Sequence, residues 1–217
     1  MTFKLPKLIA TSVVRGSVQG ESHGGIYTVD FDKKEAEQHV DWNTSDIDFE
    51  GRGADRGLRG ICFHDEYIYI AASDELFCYN KNFESNNSFK NRYLKHAHEI
   101  CRIEKRIFLT STGFDSLLSF NLETKRFDWG FQLRREYDQW TGGLFDPRRS
   151  IGPRPVNDFH INMVDVNEDG IFLSGLKTEG LLHIGADNKV RKVCELPLGT
   201  HNPKFWKNGI VFNDTAS

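Results

Sequence analysis

Three histidines and one arginine open four short phrases of this chain: Arg59-Gly60-Ile61-Cys62-Phe63, His98-Glu99-Ile100-Cys101-Arg102, His160-Ile161-Asn162-Met163-Val164 and His201-Asn202-Pro203-Lys204-Phe205. Three imidazoles brought to one point, with a position left open, are a recognised way to hold a divalent metal. Neutral imidazole suits Zn, Fe, Ni or Cu, and the open position would take water or substrate. A ligating histidine normally donates its other ring N–H to a carboxylate or carbonyl. Glu99 and Asp158 stand near enough in sequence to do this for His98 and His160. His23 is a further candidate ligand, at a different point of its repeat.

Arg59 takes the place of a fourth histidine. Its planar fork suits a carboxylate or phosphate, and Arg52 and Arg56 just upstream would reinforce an anion site. Equally, Arg59 can pair with Glu99 or Asp55 and only knit repeats together. The site expected is thus a metal held by His98, His160 and His201, with Arg59, Glu99, Asn162, Asn202 and Trp140 around a small anionic ligand. The plainer alternative is that these histidines hydrogen-bond to neighbouring strands or to channel water.

The elements that would position them read as short strands. Each phrase is followed by a polar turn and an apolar run: Tyr67-Ile68-Tyr69-Ile70, Ile107-Phe108-Leu109-Thr110, Ile171-Phe172-Leu173-Ser174 and Ile210-Val211-Phe212-Asn213. A repeat of about 40 residues built from strands is the mark of a β-propeller, whose equivalent positions meet around one axis. An all-β propeller of four-stranded blades is therefore expected. The blades fall at roughly 8–49, 57–95, 97–133 and 158–197, with a partial fifth at 200–217. Strands near 8–14, 26–31 and 37–42 make up the first, whose innermost strand is unaccounted for. Either the C-terminal strands close the ring or a six-bladed propeller is truncated.

Arg59 to His98 is 39 residues and His160 to His201 is 41, but His98 to His160 is 62. The surplus, 134–157, holds Tyr137, Trp140, Gly142-Gly143, Asp146-Pro147-Arg148-Arg149 and Pro153-Arg154-Pro155, and reads as a long loop able to cover the histidine ring. The stretch His98-Glu99-Ile100, then Phe108 through Thr112-Gly113-Phe114-Asp115 to Leu117-Leu118, resembles an uncharacterised family of propellers. His160-Ile161-Asn162, and His201-Asn202-Pro203 with Trp206 and Gly209, are similar to that family's later blade openings. The resemblance spans about 57–217, implies the propeller fold, and brings no activity with it.

Composition narrows the partners. Over 217 residues the net charge is −3, which offers no basic field to nucleic acid or to an anionic membrane. Seventeen Phe against two Met suits sheet packing. Residues 1–8 lack the apolar run of a secretory signal, making cytosol the expected location. Cys62, Cys78, Cys101 and Cys194 form no C-x-x-C pair and read as small buried hydrophobes. Asp165-Val166-Asn167-Glu168-Asp169-Gly170 matches half an EF-hand loop, but Leu176 stands where the closing Glu should be, so a hairpin turn is expected. Gly51-Arg52-Gly53 lacks the spacing of a dinucleotide loop. Two functions remain: a metal-dependent enzyme or binder of a small ligand, and a non-catalytic scaffold for protein or glycan. A partner chain or a second copy could complete the ring in either case.

Overall fold

The computed structural model describes residues 5–18, 20–43 and 57–215, so Arg52, Arg56, Asp55 and the Gly51-Arg52-Gly53 stretch lie outside the described residues. The described chain forms antiparallel sheets in which each strand pairs with the one before it. Blade one holds β1 (Leu8–Thr11), β2 (Gly25–Asp30) and β3 (Glu35–Asp41). Blade two holds β4 (Leu58–His64), β5 (Tyr67–Ala72), β6 (Glu75–Asn80) and β7 (Ser85–Lys90). Blade three holds β8 (Ile100–Ile103), β9 (Arg106–Ser111), β10 (Ser116–Asn121), β11 (Arg126–Glu136) and β12 (Gln139–Phe145). Blade four holds β13 (Ile161–Asn167), β14 (Gly170–Gly175), β15 (Gly180–Ile184) and β16 (Val190–Glu195). Blade five holds β17 (Thr200–Trp206) and β18 (Gly209–Asp214).

Alternating side chains explain why the middle strands are apolar throughout. Successive residues of a strand point to opposite faces, so a sheet sandwiched between two others needs both parities apolar. In β5, Tyr69 and Ala71 join a core shared with Ile107, Leu109, Leu118 and Phe120 of blade three. Ile68, Ile70 and Ala72 join another with Ile26 of blade one. Blade three turns Phe108 and Leu117 toward Ile161, Leu173 and Leu182 of blade four. Blade four in turn sets Met163, Phe172 and Leu181 against Ile210 of blade five. Each core thus lies between consecutive sheets, and their innermost strands succeed one another around an axis. This is a β-propeller.

Blade one joins the ring differently. Leu58 N–H donates to Ser12 O at 3.2 Å, so the C-terminal end of β1 meets the N-terminal end of β4. β1 therefore runs opposite to the innermost strands and matches the second strand of the other blades. Among the described residues nothing fills the innermost position of that sheet.

The surplus in blade three is not all loop. β11 continues to Glu136, turns through Tyr137 and Asp138, and returns as β12, a fifth strand paired from Glu136↔Gln139 to Gly130↔Phe145. Gly142-Gly143 reads as a turn because glycine usually weakens a strand. Here a Cβ on Gly142 would sit 2.4 Å from the Phe131 ring, and one on Gly130 would sit 2.4 Å from the Phe145 ring. The glycines are where aromatic rings lie across the neighbouring strand. Beyond Phe145 the chain packs along blade three, with Tyr93 Oη donating to Arg149 O at 3.1 Å and Val156 N–H to Gly113 O at 3.1 Å. The EF-hand-like stretch is the β13–β14 hairpin, with Gly170 at φ 137. No helix of the described residues is long and apolar enough to cross a membrane.

Candidate functional site

A cavity of about 480 Å³ opens at the end where the innermost strands begin. Its wall includes Thr11 at the end of β1 and Val13 beyond it, Leu58 to Ile61 of β4, His98 and Glu99 before β8, Asn162 of β13, and His201 and Asn202 of β17. Residues from all five blades therefore meet there.

Hairpin register shows which of them are equivalent. Two-residue turns close β4–β5, β8–β9, β13–β14 and β17–β18 after His64, Ile103, Asn167 and Trp206. Counting five residues back from each gives Arg59, His98, Asn162 and His201. The sequence phrases had set His160 in register with His98, but Asn162 holds that place. Strand β13 carries one extra residue in a bulge between Ile161 and Met163, and bulges also fall between Leu58 and Ile61 and between His201 and Lys204. A bulge re-aims side chains at a strand end, and here three of them lie at the cavity.

His160 lies before the first paired residue of β13, at φ 53. Asp115, itself left-handed at φ 43, holds this approach: its Oδ2 accepts from Asp158 N–H at 2.6 Å and Phe159 N–H at 3.1 Å. The His160 ring then packs edge-on against His98, centroids 5.3 Å apart.

The three imidazoles share one hydrogen-bonding pattern. His98 Nδ1 lies 2.8 Å from His96 O and 3.0 Å from Thr112 Oγ1, whose own hydrogen goes to Ile161 O. His160 Nδ1 faces Asn157 Oδ1 at 3.1 Å. His201 Nδ1 lies 3.2 Å from Gly199 O and 3.2 Å from Thr215 Oγ1, whose own hydrogen goes to that same carbonyl. Every partner is an acceptor, so each Nδ1 carries a hydrogen, and in the neutral ring Nε2 is the nitrogen with the lone pair. No Nε2 of the three has a hydrogen-bond partner among the described residues. Burial first, then the Arg59 guanidinium, pulls His98 down to about 3. Burial first, then His201, pulls His160 down to about 4. Both rings are neutral at physiological pH.

Asn162 is 1% exposed, and its Nδ2 donates to Thr200 O at 3.3 Å. Its Oδ1 is buried with no partner among the described residues. Glu99 lies next to His98, and burial raises its carboxyl against the lowering influence of Lys204. Deeper along the axis, Cys101 Sγ lies 3.5 Å from Asp165 Oδ1, and Lys204 Nζ lies 3.5 Å from Asp165 Oδ2. Among the described residues, no three His, Cys, Asp or Glu side chains stand where they would hold a metal ion.

Other expected members lie elsewhere. Trp140 is outside the cavity wall, because β12 carries it to the outer hairpin, where it packs on Phe159 at 4.9 Å and under Arg135 at 5.3 Å. His23 is fully buried, 2.6 Å from Ser17 Oγ. Asp158 is exposed, and Asn157 rather than Asp158 meets the His160 ring. The residues that sequence reading passed over are Thr112 and Asp115. Both lie in the Thr-Gly-Phe-Asp turn after β9, where a hydroxyl and a carboxylate at a strand end were the available signal.

No family model matches the chain, and no curated protein matches its sequence. Solved structures do match. Virginiamycin B lyase from Staphylococcus aureus is 10% identical, with a TM-score of 0.50, over 87% of this chain and 69% of that one. A catalytically inactive histidine-to-alanine variant of that lyase with quinupristin is 9% identical, with a TM-score of 0.50, over 87% of this chain and 70% of that one. The likeness is one of fold. The chain spans 61% of a matching chain from the mitotic checkpoint complex, 9% identical with a TM-score of 0.47.

Proposed function

We propose that this propeller binds a small anionic ligand in the cavity at the mouth of its axis. The observation that supports this is the register: Arg59, His98, Asn162 and His201 occupy one position in four successive blades, and all four line that cavity. A volume of about 480 Å³ falls within the range of about 300–1,000 Å³ usual for small-molecule pockets. Arg59 supplies the cationic fork for a carboxylate or phosphate. Its charge, already felt at His98 and His160, favours an anion among neutral imidazoles.

A divalent metal is the second reading. Each Nδ1–H is tied back to an acceptor, which is the arrangement ligating histidines adopt with Nε2 toward the ion. On that reading His98, His160 and His201 would have to draw closer together than they stand here to hold the metal, and Arg59 would orient an anionic substrate. A scaffold that binds protein or glycan through another face is the outcome if neither ligand is found.

Elemental mass spectrometry on the purified protein, together with NMR titration by inorganic phosphate, citrate and gluconate, separates these readings. The anion reading expects saturable shifts at the cavity residues that disappear in a still-folded Arg59→Ala variant. Titration behaviour identical in that variant would refute it. Near-stoichiometric metal that is lost in His98→Ala/His160→Ala would promote the second reading.

A further inference from the structure

We infer that the ligand is a polyhydroxylated monoacid of sugar size, recognised through several hydroxyl donors as well as through its anionic group. The inference rests on the anion-binding reading above and deepens it. Its basis is an imbalance of donors and acceptors in the cavity wall. His98 and His201 in the wall, and His160 packed edge-on against His98 beside it, each turn Nδ1 to a protein acceptor, leaving three Nε2 atoms without partners among the described residues. Asn162 adds a buried Oδ1 in the same condition.

Buried or half-buried acceptors of this kind require hydrogens from whatever occupies the site. A bare carboxylate brings only acceptors, and inorganic phosphate at neutral pH brings only one or two O–H groups, so neither matches all four. Ammonium groups bring hydrogens but also a positive charge, which Arg59 opposes and Glu99 attracts in the same wall, whereas an uncharged donor is indifferent to both. Neutral hydroxyl groups meet both conditions. A chain or ring of several hydroxyls ending in one carboxylate or phosphate therefore fits the wall, with the anion on Arg59 and the hydroxyls donating toward the imidazoles.

Calorimetric titration with D-gluconate, butyrate and D-glucose tests this. Gluconate carries both features, butyrate only the anion and glucose only the hydroxyls. Since two hydrogen bonds together are worth about a tenfold change in affinity, gluconate should bind at least about tenfold tighter than either. His201→Ala, which removes one of these acceptors, should narrow that advantage. Butyrate or phosphate binding as tightly as gluconate would overturn the inference and leave the anion reading standing. Failure of all three and of phosphate to bind would overturn both. A readout that needs no variant is the nitrogen NMR of the histidine rings in the free protein. Nδ1–H tautomers are expected at His98, His160 and His201, and Nε2–H at two of the three would remove the basis of the inference. Zn²⁺ binding at the three Nε2 atoms, with no discrimination among the organic probes, would likewise overturn it.

Discussion

Acid should weaken this protein through His98, and the size of the effect follows from where the ring lies. An ordinary imidazole titrates near 6.5, whereas burial and Arg59 hold His98 at about 3. Between those values the unfolded chain binds a proton that the folded chain refuses. The contribution is therefore fully favourable above about 6.5 and declines as pH falls, by about 1.4 kcal/mol per unit. From pH 7.5 to pH 5.0 the loss amounts to about 2 kcal/mol for His98, or about 4–8 °C in Tm for a chain of this size. His160 moves in the same direction, but its partial exposure reduces the effect to about 1 kcal/mol. Urea denaturation of the wild type and His98→Gln at both pH values isolates the term, because carboxylate titrations cancel in the difference. The stability advantage of the wild type at pH 7.5 should shrink by about 2 kcal/mol at pH 5.0. An advantage that stays constant across this range would mean that the folded ring is already solvated. The account of a half-buried, neutral imidazole at the cavity wall would then fail.

Two further perturbations test the framework behind the ring. Asp115→Ala strips the acceptor from two backbone N–H groups and should cost about 3 kcal/mol, with the NMR signals of His160 displaced. Asp115→Asn, which keeps an amide oxygen, should recover most of that loss in the same denaturation assay. Gly142→Val drives a branched side chain into the Phe131 ring and should cost about 1–3 kcal/mol. Hydrogen exchange should then show β12 opening while the cavity residues keep their protection, and a loss shared equally by both regions would contradict the peripheral place given to β12.

Much of the fold was legible because the physics that reveals it is local. A run such as Ile107-Phe108-Leu109 between polar turns is apolar on both parities, and only a strand covered on both faces needs that. The outer strands β7 and β16 are largely exposed and carry less signal. β12 was hidden for a different reason. Its pairing depends on aromatic rings from the neighbouring strand crossing Gly142 and Gly130, and that is a cross-strand relation rather than a local one. A Gly-Gly step considered without its partner strand is a turn signal and puts Trp140 in a lid, whereas the pairing of β12 carries it to an outer hairpin.

The central site exposes the same limit at the scale of single residues. Counting forward from a histidine aligned His160 with His98, because identity was the only marker available in the sequence. Counting back from the hairpin turns aligns Asn162 instead, because the strand ladder, not residue type, fixes which side chains meet at the axis. His160 still reaches the ring, but from the connection outside the ladder, held by Asp115 and in edge contact with His98. The distinction has a chemical consequence. A strict ring of three or four histidines would be a set of equivalent metal ligands. The observed ring of cation, imidazole, amide and imidazole is asymmetric, with one end suited to an anion and the rest short of hydrogen-bond donors. Asymmetry of that kind would orient a ligand within the cavity, with its anionic group at Arg59 and its hydroxyls toward the imidazoles, which is what the proposed reading requires.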